Sequence, residues 1–480
     1  MKRINKIKMA LFGSLIVMFS SCVTPGINEK QKPETPVVPQ IPEQPVVEKP
    51  IEKPADEIPQ NVLFAEKLQN LLLKQDVKGA IALFDNMPAE LKNDQDLQVV
   101  RASLYISDGD YVKASATANE ILSKDGENVS AMEILAVSSH AAGDSETYNS
   151  VSNKLLAKDP QNPAVNNINA EKLMSTKKFK PAKKIYGDVL KVHPDDEDAL
   201  YGYALCSYYT DDLKTSKQIV QNLIERNPYD SASIALLAKL YADQNSYALA
   251  VQEQEKALKL DPNNYNYLLD LGLYYIHMGN TDEAVKAWKK AVKIDSSYFL
   301  AYAYLAGAYD DAEKFEDAIE NYNQVIRTNP EYYFAYESIA ILDFHTGKYK
   351  DAIDNFSKAL RYSENYSYRI MIAASYYKLK DPINAKKVLA AGLKKMEKDT
   401  LEYNIVRFYN DNYTRNAENQ IVQQLNKEDN RNNKGKVLFY MGLYYELNGS
   451  DEMAKEYYAK VAKMQAPMFF EYRLAEWGLK

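Results

Sequence analysis

The sequence predicts an all-α solenoid of stacked helix–turn–helix units, and three observations carry that prediction. Small residues recur every 34 positions, without insertion or deletion, at Ala102, Ala136, Ala170, Ala204, Ala238, Gly272, Ala306, Ala340 and Ala374. A second ladder in the same frame runs through Ala80, Ala114, Ala182, Ser216, Ala250, Ala284, Ala318, Ala352 and Ala454. Prolines form a third at Pro160, Pro194, Pro228, Pro262 and Pro330. A period of this length marks units that cannot bury their apolar faces alone and must stack on neighbours.

One unit, residues 265–298, shows the local logic. Leu268, Leu271, Gly272 and Tyr275 follow the i, i+3, i+4, i+7 spacing of one apolar helix stripe. Gly279 ends that helix, and Asn280, Thr281 and Asp282 offer capping oxygens to the next. Ala284, Trp288 and Ala291 repeat the spacing on the second helix. Gly272 and Ala284 are small where the two helices approach, with Trp288 filling the space beside them. In most units a proline follows the second helix, where it cannot continue the helix and fixes the boundary.

At these positions the chain resembles the tetratricopeptide repeat family. Units begin at 61, 95, 129, 163, 197, 231, 265, 299, 333 and 367, and the pattern is sharpest from 231 to 366. It weakens at 129–162, where Tyr148 and Ser152 replace the small and aromatic residues. It weakens again at 367–400, where Pro382 and a one-residue slip to Ala385 disturb the second helix. Residues 401–434 keep the length but place Phe408 and Gln420 at the small positions. The frame returns at 435–480 with Leu438, Gly442, Tyr445, Gly449, Ala454 and Tyr458. The resemblance covers about four-fifths of the chain and implies a right-handed superhelical solenoid of twelve units: ten over 61–400, a degenerate one and a final one.

The N-terminal 21 residues read as an export signal. Lys2, Arg3, Lys6 and Lys8 precede an apolar run, Met9 to Phe19, too short to span a bilayer permanently. Phe19-Ser20-Ser21-Cys22 resembles the lipobox of bacterial lipoproteins, which implies lipidation of Cys22. Phe19 departs from the usual Leu there. The other cysteine, Cys206, falls inside a first helix and reads as a buried apolar residue. Residues 22–60 form the tether, and residues 23–60 hold nine of the nineteen prolines, a composition that favours extended chain over a core. At ~3.1 Å per residue the tether reaches ~100 Å when fully extended. Val23 stands where an Asp favours inner-membrane retention in some bacteria, so the expected location is the outer membrane of a bacterial envelope.

The net charge falls from −7 to about −11 once the signal's four cations leave, and no basic stripe points to nucleic acid. No His-Glu-x-x-His, Gly-x-Ser-x-Gly, phosphate-binding glycine loop or Cys-x-x-Cys occurs. His277 and His345 lie two units apart, ~20 Å at ordinary helix spacing, and cannot share a metal. The expectation is a non-catalytic protein with no cofactor, no metal and no small-molecule substrate.

The family resemblance implies that first-helix positions 2, 5, 9, 12 and 13 line a concave face that binds other proteins or peptides. Carried over, these positions give Tyr201, Leu205, Tyr208 and Tyr209, then Leu269, Leu273, Ile276 and His277. Further along they give Asp310 and Asp311, Phe334, Glu337, Ile341, Phe344 and His345, and finally Tyr368 and Met371. An aromatic and aliphatic groove with a few polar groups suits a helical or extended segment of a partner. The Lys and Asn that clamp a carboxylate in chaperone-binding members are replaced by pairs such as Tyr201 and Leu205, so such tails are not expected ligands. Most of the 38 tyrosines occupy core positions, Tyr241 and Tyr309 among them, and carry no binding code.

The stretch Tyr413-Thr414-Arg415-Asn416-Ala417, with the closing Phe469-Phe470-Glu471-Tyr472-Arg473-Leu474-Ala475-Glu476, resembles the C-terminal part of NlpI-type lipoproteins. That likeness implies an envelope adaptor. Its amphipathic last helix, with Leu474 and Trp477 on one side, is expected to cap the open end of the stack. A periplasm-facing scaffold is the first expectation. A surface-exposed adhesin is the second, and a peptidoglycan- or glycan-binding protein using Tyr208 and Tyr209 is the third.

Overall fold

Two helices can close on each other only where a side chain is missing from the contact. Every residue of both small-residue ladders is buried in the computed structural model, which describes residues 60–480 except 75, 412–413 and 465–468. The signal segment, Cys22 and the tether up to residue 59 lie outside the described residues. At Gly272 an added Cβ would stand 2.1 Å from the Trp288 indole nitrogen. That ring cannot withdraw: its N–H donates to the Leu269 carbonyl at 3.1 Å, and it stacks on Tyr304 at 5.1 Å.

The described residues form helices without a strand, and within each unit most helices pack on the next. Two compact units follow one another, the described residues up to Pro262 and Asn263–Lys480. The first holds α1 (Gln60–Leu73), α2 (Val77–Asp85), α3 (Gln95–Ser107), α4 (Tyr111–Lys124), α5 (Val129–Ala141) and α6 (Ser145–Lys158). It continues with α7 (Pro163–Ser175), α8 (Phe179–Val192), α9 (Glu197–Tyr209), α10 (Leu213–Arg226), α11 (Ser231–Asp243) and α12 (Tyr247–Leu260). Odd-numbered helices also touch each other, α3 to α5, α5 to α7, α7 to α9 and α9 to α11, so the first helices of successive pairs form one layer.

The second unit holds α13 (Tyr265–His277), α14 (Thr281–Ile294), α15 (Phe299–Asp311), α16 (Phe315–Thr328), α17 (Tyr333–His345) and α18 (Tyr349–Tyr362). It continues with α19 (Tyr366–Lys378), α20 (Pro382–Leu393), α21 (Leu401–Asn410), α22 (Arg415–Lys427), α23 (Arg431–Leu447), α24 (Asp451–Ala462) and α25 (Phe470–Leu479).

The boundaries follow the local chemistry. Asp94, Asp110, Asn128, Asp144, Asn162, Asp196 and Asp212 each accept from the N–H three residues on, satisfying a free donor at a helix start. Asn280 holds the cap position of α14, but its side chain makes no cap bond, contrary to the expectation from sequence. First helices end on a left-handed residue: Gly279 has φ +78°. At the equivalent places Lys177, Asp211, Asn245 and Glu313 adopt φ between 55° and 64°, a conformation that costs a non-glycine residue about 1–2 kcal/mol.

The slip near residue 385 begins earlier than the sequence placed it. The cap before α19 is Asn365, 33 residues after the corresponding Tyr332, so the missing residue lies in the connector after α18. The left-handed residue moves with it to Lys380. The rung equivalent to Ala340 is therefore Ala373 rather than Ala374, and both are fully buried.

Beyond the slip the second unit folds back on itself. The ten-residue α21 places Phe408 against Tyr444 at 4.3 Å, while Gln420 on α22 faces solvent. The seventeen-residue α23 packs on α21 and also on α19, two pairs back. Lys378 meets Glu446 at 2.6 Å, and the Tyr366 hydroxyl donates to Asn433 at 3.0 Å. One continuous apolar core runs from Tyr336 to Ala475.

Candidate partner-binding face

The side chains that face away from the second helices belong to the first-helix layer. In the first unit α9 presents Tyr201, Leu205 and Tyr208, all half-buried, and Tyr209, which is 36% exposed. Tyr209 stacks on Phe179 at 4.3 Å and meets Tyr208 edge-on at 5.2 Å, so the two rings form a fixed aromatic step. Next to them the layer turns acidic. Glu133 on α5, Glu171 on α7, and Asp196 and Asp198 at the start of α9 come together with Asn167 of α7, whose amide N–H₂ donates to Asp196 at 3.0 Å. Burial lifts the Glu171 carboxyl up to about 7. Burial, and then repulsion from Asp196 and Glu171, lifts Asp198 well above the carboxylate range. Glu133 is raised by burial, although it accepts from Asn162 at 2.7 Å.

In the second unit the face is occupied. Helix α25 packs on α23 and α24 and reaches across to α17 of its own unit. The Arg473 guanidinium reaches Asp310 of α15, with Nη1 at 2.7 Å from the carboxylate and Nη2 at 3.0 Å from the backbone carbonyl. Trp477 stacks on His345 of α17 at 3.9 Å and meets Phe315 edge-on at 5.7 Å. Lys480 pairs with Glu313 at 2.8 Å. Glu471 is fully buried and accepts from Tyr440 at 2.7 Å and from the Ser367 hydroxyl. Its carboxyl is raised by burial.

The expected groove residues therefore divide. Ile276, His277, Asp311 and Phe334 are exposed, Phe334 at 48% and stacked on Tyr333 at 4.2 Å. Leu273 is half-buried, and Leu269 is interior, its carbonyl taken by Trp288. Asp310 is 8% exposed under Arg473, and Ile341 and Phe344 are buried. Glu337 accepts from the Tyr368 hydroxyl.

Tyr368 and Met371 are corrected: at 1% and 0% exposure they belong to the core. The one-residue slip rotates α19 by about 100° relative to the uninterrupted frame, so Ser367 rather than Tyr368 takes position 2. Ser367, Arg473 and Glu471 escaped the sequence reading because their contacts depend on how tightly the unit curls. Glu133, Asn167, Glu171 and Asp198 were legible, since they stand at groove positions 5, 5, 9 and 2 of the units that begin at 129, 163, 163 and 197.

Family models described as tetratricopeptide repeat match residues 232–264, 254–286 and 305–370. Residues 232–286 and 305–370 therefore match tetratricopeptide repeats. BBSome complex member BBS4 from Bos taurus is 24% identical over 110 residues, which span 23% of this chain and 21% of that protein. Among solved structures, YrrB, titled a TPR protein with an unusual peptide-binding site, is 17% identical. The match covers 36% of this chain and 91% of that one, at TM-score 0.33. The APC/C hetero-tetramer Cut9-Hcn1 is 14% identical, covering 88% and 84% at TM-score 0.39. A tetratricopeptide repeat protein from Parabacteroides merdae is 14% identical, covering 58% and 98% at TM-score 0.35.

In these repeats the first-helix layer offers aromatic steps, aliphatic strips and carboxylates. Among the described residues no group of three or more His, Cys, Asp and Glu is arranged to hold a metal ion. No helix among them is long and apolar enough to cross a membrane. Cys206 is fully buried, and burial pushes its thiol up to about 12, which leaves it unreactive at neutral pH.

Proposed function

We propose that this protein is a lipid-anchored, non-catalytic tetratricopeptide-repeat scaffold in a bacterial cell envelope, facing the periplasm from the outer membrane and binding segments of other proteins on its first-helix face. One observation carries the binding reading: α25, an amphipathic helix, is seated on that face in the second unit through Arg473 and Trp477. A surface that holds one helix through a charge-assisted bond and an aromatic stack has the chemistry to hold a partner's helix. The anchor reading is supported by the basic, apolar and small-residue run that ends at Cys22 and by the proline-rich tether. Tethering concentrates the face near the membrane and favours multivalent docking.

The test is a photo-crosslinking amino acid placed at Tyr208, on the first-helix face, or at Lys290, exposed on a second helix, in cells that carry the protein. Discrete adducts from Tyr208 and none from Lys290 are expected. Equal adducts, or none, would remove the binding reading. Cys22→Ser should move the protein from the membrane fraction to the soluble one, and digestion by external protease in intact cells would contradict the periplasmic orientation.

A further inference from the structure

We infer that the first-helix face of the first unit holds a lysine or arginine side chain of a partner segment between α7 and α9, at Glu171, Asp198 and Asn167, an inference that rests on the protein-binding reading above. Four carboxyl groups, those of Glu133, Glu171, Asp196 and Asp198, meet there from three successive repeats. Asp196 is satisfied as a helix cap and by Asn167, and Glu133 is satisfied by Asn162. Glu171 and Asp198 have no hydrogen bond or ion pair among the described residues, and burial is the largest influence on both. Carboxylates on a merely solvated face would not be desolvated in this way.

Asn167 gives an independent indication. Its side chain is 7% exposed and turned to the cluster by its bond to Asp196, yet its Oδ1 has no donor. Buried amide oxygens are almost always paired, so this one lacks a donor that a ligand would bring. An ammonium or guanidinium group carries several donors and no acceptor, which matches two carboxylates and one amide oxygen. A metal ion fits less well, since these groups are not arranged as a ligand set among the described residues. The half-buried Tyr201, Leu205 and Tyr208 continue the same helix and supply apolar contact for residues flanking the cation, which selects a protein segment over a bare small cation. In the second unit an arginine already sits on an aspartate of the equivalent face.

The experiment measures fluorescence anisotropy of a labelled, alanine-based helical peptide of about 20 residues carrying lysines and one tryptophan, against its lysine-to-glutamine counterpart. The purified protein is expected to bind the lysine peptide at least about tenfold more tightly. The double variant Glu171→Gln, Asp198→Asn should bring the two peptides level while keeping full helicity and a melting temperature no lower than that of the wild type. Glu171→Lys, which supplies the cation internally, should also erase the preference and melt higher. Equal binding of both peptides by the wild type would overturn the charge inference and leave the scaffold reading standing. A preference that survives in the double variant, or no binding of the lysine peptide, would overturn it too, the scaffold reading then resting on the crosslinks. Calcium binding by calorimetry, lost in the double variant and unaccompanied by a peptide preference, would replace it with a metal site.

Discussion

At Gly272 the spacing of two helices is set by one indole ring, and a methyl group added there has nowhere to go. Gly272→Ala should destabilise the second unit by about 1–3 kcal/mol, the usual cost of overpacking, seen as a lower denaturant midpoint. The left-handed Lys177 offers the opposite test: Lys177→Gly should stabilise by about 1 kcal/mol, because it relieves φ +57° without removing a core contact. Glu171 makes stability depend on pH. Its carboxyl titrates near 7 in the folded protein against an ordinary 4.5, so the folded state binds the proton more tightly than the unfolded chain. Its contribution is therefore fully present below about 4.5 and is lost as pH rises through about 7, on the order of 3 kcal/mol in all. Thermal melts from pH 5 to 8 should show the first unit losing stability, and Glu171→Gln should flatten that slope. Asp198 and Glu133, whose carboxyls burial also raises, face the same space and steepen the dependence in the wild type.

Helix α25 shows what an element adds that its own residues do not announce. Its amphipathic pattern was legible, and Leu474 and Trp477 do turn inward, but the pattern names no partner. Arg473 and Asp310 lie 163 residues apart, and only the curl of the nine intervening helices brings them together. Arg473→Ala leaves Asp310 nearly buried and unpaired, and should cost about 2–4 kcal/mol in the docking of α25. Hydrogen exchange over residues 470–479 would report this directly, and a double-mutant cycle with Asp310→Asn would separate the pair from the packing of Trp477. By contrast the helix pairs themselves were readable, because small residues, caps and prolines act within one unit. The slip in α19 shows the limit of that reading. A single deleted residue leaves the composition of a repeat intact and shifts its frame by one, but Ser367 and Ile370 at the shifted positions are as buried as Tyr368 and Met371, because later helices cover α19 from Ser367 to Ser375.

Over the whole molecule stability is not uniform. The core from Tyr336 to Ala475 joins several repeats and α25, whereas the first unit is held by smaller clusters such as those around Leu68 and Phe84 or Tyr186 and Val189. Repeat arrays behave as chains of nearest-neighbour contacts, and α19 through α25 add contacts that skip neighbours. Amide exchange should therefore be slowest in α19, α21 and α23 and fastest in α1 and α2; a flat profile would contradict this. The repeated architecture was legible because it is written in a period, and the closure was not, since it follows from accumulated geometry. That closure has a mechanical side. A plain stack of helix pairs stretches like a coil spring, each pair yielding a little under load. In the second unit the Arg473–Asp310 latch shorts the coil, so tension reaching it must first shear a charged pair and an aromatic stack. The first unit, which has no such latch among its described contacts, keeps the compliance of a spring.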